Sequence, residues 1–178
     1  MRILPILALL LVVSCDSIAA EDNVYTTLRV LQYNNAAEQY IGRQTAVSVL
    51  GKRGKQRLIV RFAKYGGSVY SSSGLGVMFL ATSADEYLAF ISKYRDWAAK
   101  ATENGDAFTK EIGRAKSTPG LSLKFQFHSG NTTSHYLVIV VCSLGNCSVQ
   151  EPIYLDEEGA DELTSLVTKL KTGELPGT

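Results

Sequence analysis

Three kinds of apolar spacing divide the chain. Residues 3–13 form an aliphatic run interrupted only by Pro5. From about residue 40 to 81, and again from 107 to 155, apolar residues largely alternate with polar ones, the period of strands covered on one face. Two further segments carry apolar residues at i, i+3, i+4 and i+7, the stripe of a packed helix. In the first half, Tyr40-Ile41-Gly42 leads into a strand over 45–50, the turn Gly51-Lys52-Arg53-Gly54-Lys55, and a strand over 56–64. A Gly/Ser stretch precedes the last strand, over 76–81. A helix is predicted from Ser83 to about Thr102, with Glu86 three residues beyond Ser83 as a capping box and Asn104-Gly105 as its stop. The second half predicts strands over 107–113, 121–127, 136–142 and 148–155. Asp156 then caps a helix that ends near Lys171-Thr172-Gly173. Residues 24–37 fit either type: Leu28 and Leu31 suit a helix, Thr26, Thr27 and Val30 a strand.

The halves match each other. Ala84-Asp85-Glu86 and Ala160-Asp161-Glu162 begin the two helical patterns at an offset of 76, under which Tyr87, Phe90, Ile91 and Tyr94 fall on Leu163, Leu166, Val167 and Leu170. The strand Val77-Met78-Phe79 falls on Ile153-Tyr154-Leu155, and Val47 and Val49 fall on Leu123 and Phe125. Ile-Gly-Arg occurs at Ile41-Gly42-Arg43 and again at Ile112-Gly113-Arg114. A duplication is expected, with a first ββββα repeat over 24–105, a second over 106–172, and a flexible tail over 173–178. The fold class expected is α+β, with helices packed on one face of antiparallel sheet. This layout resembles the tandem repeats of PUR and Whirly nucleic-acid-binding proteins. It also resembles secreted β-lactamase-inhibitory proteins, which place the helices first. The resemblance is one of layout and implies no function.

The aliphatic run follows Met1-Arg2 and is too short to cross a bilayer, which needs about 20 helical residues. It reads as a signal peptide over 1–19, with cleavage after Ala19 or Ala20. The alternative is a lipoprotein signal over 1–14, because Val12-Val13-Ser14-Cys15 resembles a lipobox and would leave Cys15 lipid-anchored. No integral membrane span is expected elsewhere. Cys142 and Cys147 flank Ser143-Leu144-Gly145-Asn146 between two apolar runs, the pattern of a hairpin. Cross-strand Cα atoms lie about 4.5–5.5 Å apart, within reach of a disulfide, so in an oxidising compartment the pair is expected to be bonded. The chain is therefore expected to be exported, periplasmic or secreted.

Composition adds little: 178 residues, 46% hydrophobic and 20% charged, is an ordinary globular balance. Net charge is +1, but it is unevenly spread. Residues 23–82 hold eight basic residues against Glu38, while residues 83–178 hold nine basic and thirteen acidic. Lys52, Arg53, Lys55, Arg57 and Arg61 form a basic stripe with Phe62 and Tyr65 beside it, a pattern able to hold phosphates and stack bases. The ordinary reading is a solvated tip that balances the acidic half. The Gly/Ser segment over 66–74 reads first as a flexible strand connection and otherwise as a loop that presents Tyr70 to a partner. His128 and His135 bracket a hairpin loop, so closing it is expected to bring the imidazoles together as a weak metal candidate. Acids cluster around the start of the last helix, where the helix dipole accounts for them. HExxH, GxSxG and P-loop patterns are absent from the sequence, and no cofactor is expected.

The sequence thus points to an exported bacterial, non-enzymatic binding or accessory protein of the envelope, inhibitor-like in plan. A protein partner would be met by the sheet face or the hairpin tips. The alternative is an anionic polymer, polysaccharide or nucleic acid, held by the basic hairpin. A third reading, a hydrolase, requires His128 or His135 beside a carboxylate in a closed pocket.

Overall fold

Alternation and helical stripes become two antiparallel sheets and two helices. The computed structural model describes residues 21–63, 68–69, 75–147 and 151–176. The leader with Cys15, and Tyr65 and Tyr70, lie outside the described residues. Strands are β1 (Glu21–Val24), β2 (Leu31–Asn34), β3 (Gln39–Gly42), β4 (Thr45–Leu50), β5 (Arg57–Phe62) and β6 (Leu75–Leu80). After a 3-10 turn at Ala81–Ser83 come α1 (Ala84–Asn104), β7 (Thr109–Lys116), β8 (Leu121–Ser129), β9 (His135–Ser143), β10 (Ile153–Leu155) and α2 (Glu157–Thr172). The four-stranded sheet has the order β1-β4-β5-β6, and the six-stranded sheet the order β3-β2-β10-β9-β8-β7. Residues 24–37 form no helix: an irregular stretch with Leu28 and Val30 buried leads from β1 into β2, and a turn begins at residue 35.

The register shows how alike the two halves are. In the first sheet Val47, Val60 and Val77 lie in one cross-strand row, and Val49, Leu58 and Phe79 in another. In the second, Phe125, Ile139 and Ile153 form one row, and Phe127, Leu137 and Leu155 another. All twelve side chains are buried. Each sheet therefore holds a four-strand meander, β1-β4-β5-β6 or β7-β8-β9-β10, followed by a helix, which is compatible with a tandem layout. The difference is the β2–β3 hairpin. It interrupts the first meander and attaches to the second sheet beside β10.

Both helices lie against the core face of the six-stranded sheet, α1 over β7, β8 and β9 and α2 over β9 and β10, while α2 also reaches β5. One continuous apolar core joins both sheets and both helices. Two tyrosines of α1 pin it. The Tyr87 hydroxyl donates to the Lys116 carbonyl in β7 and accepts from Leu80 N–H in β6 at 3.4 Å, linking the sheets. The Tyr94 hydroxyl donates to the His135 carbonyl at 3.0 Å.

Helix ends follow local chemistry with one exception. Gly105 and Gly173 adopt left-handed C-terminal caps at φ 68° and 71°. Asp156 accepts from Gly159 N–H at 2.9 Å and opens α2. Ser83, expected to cap α1 with Glu86, makes no cap bond. It is buried in the 3-10 turn, and its hydroxyl meets Tyr87 instead.

Candidate functional site

The basic hairpin turns at Gly51 and Gly54, both at positive φ. Arg53 packs its stem over Gly173, so closely that a Cβ there would fall 2.9 Å from Arg53 Cγ. That places a cation at the carbonyl end of α2, where the dipole favours it. Arg61 faces outward and pairs with both Glu21 oxygens and with Ser48 Oγ. The Arg61 hydrogen bond holds the Glu21 carboxyl below its ordinary range. Glu21 lies just upstream of the basic stretch over residues 23–82, in which Glu38 is the one acid. Phe62 points into the core and offers no surface for stacking. Lys52, Lys55 and Arg57 stay exposed.

The two histidines do not meet. Ser129 pairs with His135 and His128 with Tyr136, adjacent rows whose side chains point to opposite faces. His135 faces the core: Nδ1 lies 3.0 Å from Ser129 Oγ and Nε2 3.0 Å from Thr102 Oγ1. His128 faces outward, with Nδ1 2.7 Å from Thr109 Oγ1. Burial lowers both pKa values, which favours the neutral form of each ring. Among the described residues neither ring has a carboxylate partner and no three metal-donor side chains converge. A cleft of about 730 Å³ opens beside His135, between α1, the β8–β9 turn and the start of α2. Asp96, Asp156, Glu157 and Asp161 line it against Arg95. Asp156 is engaged in its cap and Asp161 in an ion pair with Arg95.

On the outward face, Tyr40, Tyr136 and Tyr154 surround His128, and Tyr33 packs on Tyr40. The Tyr40 ring lies 4.0 Å from that of Tyr136 and 5.0 Å from that of Tyr154, centre to centre. In strand order β3 is three places from β9, about 14 Å at normal spacing. The β2–β3 hairpin therefore curls over the face, held to β10 by the single pair Leu31–Tyr154. Desolvation, then the neighbouring tyrosines, pushes the Tyr40 phenol up to about 12. These tyrosines escaped sequence reading, although Tyr136 and Tyr154 occupy the polar-facing positions of their strands.

The far end of β9 carries the disulfide. Cys142 and Cys147 are bonded across a Cα separation of 3.9 Å, closer than the cross-strand spacing expected. Inside it, Ser143 and Asn146 exchange backbone hydrogen bonds of 2.8 Å. Leu144 and Gly145 both have positive φ, as a type I′ turn requires. Leu144 N–H donates to the Gly120 carbonyl at 3.4 Å, tying the tip to the β7–β8 turn. The Leu144 side chain is 94% exposed. No helix among the described residues is long and apolar enough to cross a membrane. No family model and no curated protein matches the chain.

Proposed function

We propose that the chain is an exported bacterial binding protein of the envelope, non-enzymatic, that engages a protein partner through the Leu144 turn. The observation that carries this reading is Leu144 itself, an almost wholly exposed leucine in left-handed backbone at φ 47°. Asn or Gly is favoured at such a position, and a leucine there costs roughly 1–2 kcal/mol. A disulfide, two backbone bonds and the Gly120 contact hold it in place. A rigid apolar knob loses little freedom on binding, so its burial is available as affinity. Export is supported by the apolar leader and by the Cys142–Cys147 disulfide. The mass of the mature chain distinguishes cleavage after Ala19 or Ala20 from lipidation at Cys15. The hydrolase reading has less support, since both nitrogens of His135 are bonded to hydroxyls.

The test is capture from envelope extract with wild type and Leu144→Asn in parallel. The variant is expected to be more stable by about 1 kcal/mol in urea unfolding and to lose a protein that wild type retains. A variant that is stabilised and captures the same proteins would remove Leu144 from the interface and overturn the reading.

A further inference from the structure

The disulfide-braced turn is one wall of a shallow groove of about 560 Å³. The other walls are the β7–β8 turn at Pro119 and Gly120, Leu121, and the end of β6 at Leu80. Lys116 is the one charged side chain lining it, and no carboxylate lines it among the described residues. A second cation stands at the rim. Arg57 is the direct cross-strand partner of Leu80, on the same outward face, and is exposed. Ala81 N–H donates to the Gln56 carbonyl, which anchors the start of the basic hairpin to the residue after Leu80. Asp85, in the first turn of α1, is paired with Lys171. The basic stripe and the apolar turn, remote in sequence, are thus neighbours in the fold.

Resting on the reading of Leu144 as a partner contact, we infer that the segment seated here is an acidic, apolar stretch of a partner protein. A Leu- or Phe-sized side chain enters between Leu144, Pro119 and Leu80, and flanking carboxylates meet Lys116 and Arg57. The aliphatic walls reward apolar burial. A basic segment would face Lys116 and Arg57 with no carboxylate lining the groove among the described residues, so the charges select as well as attract. A purely anionic polymer would leave the apolar walls unused.

The experiment is fluorescence anisotropy on the oxidised mature chain with three labelled peptides of about ten residues. One alternates Leu or Phe with Asp or Glu. The second replaces its acids by Lys, and the third replaces its apolar residues by Ser. The first is expected to bind at least roughly ten-fold more tightly than the others. It should weaken by a similar factor between about 50 and about 500 mM salt. Lys116→Glu is expected to cost about ten-fold, and Lys100→Glu, an exposed control on α1, nothing. Preference for the lysine peptide, equal binding of the serine peptide, indifference to Lys116→Glu, or no binding at about 1 mM each overturns the inference. So does retention on heparin that Leu144→Asn leaves unchanged, which would assign the surface to a polymer. If capture from extract depends on Leu144 but not on Lys116 or salt, this inference fails and the binding reading stands. If capture ignores Leu144, the binding reading fails first.

Discussion

His135 opens β9 with its ring turned into the core and both nitrogens bonded to hydroxyls. A neutral imidazole donates to one and accepts from the other; an imidazolium can only donate. Burial therefore holds its pKa below the ordinary value, as it does for His128. The unfolded chain takes up these protons more readily than the folded one. The stability linked to them is fully present above about pH 6.5 and is lost as pH falls below that value. The thermal midpoint is expected to fall between pH 7 and pH 5, and to fall less in His135→Gln, which keeps a donor and an acceptor. Circular dichroism melts at the two pH values check this; an equal fall in both proteins would move the effect elsewhere. The sequence showed both histidines and their hairpin. It did not show that they face opposite ways, because that depends on the pairing of Ser129 with His135. Shifting that pairing by one residue exchanges the faces.

Among the elements, those whose chemistry is local were readable and those tied to distant groups were not. Both helices, their glycine stops and the Asp156 cap follow from residues within a few positions of each other. The Ser83 capping box had the same local credentials and failed, because Tyr87 reaches Ser83 and bridges the sheets. β7 shows a second tertiary demand. It bulges between Glu111 and Gly113, and α1 lays Phe90 over Gly113 so tightly that a Cβ would fall 2.4 Å from the ring. Phe90 also packs against Phe125, 5.3 Å between centres, so it cannot simply swing away. Gly113→Ala is expected to cost roughly 1–3 kcal/mol through overpacking. Phe90→Leu in the same chain should recover part of that loss. Urea midpoints of the single and double variants decide it; no recovery would mean that backbone geometry, and not Phe90, demands the glycine.

The molecule as a whole is two similar meanders tied by an exchange, because the β2–β3 hairpin leaves the first half to join the sheet of the second. Its attachment to β10 is one residue pair, so the tyrosine cluster supplies much of its anchorage. Tyr40, wedged against Tyr33, Tyr136 and Tyr154, is the centre of that cluster. Tyr40→Ala is expected to cost about 2 kcal/mol, less than a fully buried aromatic would. In hydrogen exchange, amides of β2 and β3 should lose protection while those of β4 and β5 keep theirs. Uniform loss across both sheets would show that the hairpin is integral to the core and not an appended flap.

Spacing along the chain determined the class of fold, most strands, both helices and the bonded cysteines. Each rests on interactions between near neighbours, whose periods and turn residues are written in order. Strand order and register decided the rest, by joining residues from about forty to more than a hundred positions apart. They sent β2 and β3 to the other sheet, separated the histidines and gathered the tyrosines. They also set Arg61 against Glu21 and Arg53 over the end of α2, and brought Leu144, Leu80 and Lys116 to one groove. Composition carries no trace of such meetings, because which distant strands pair depends on burying the whole core at once.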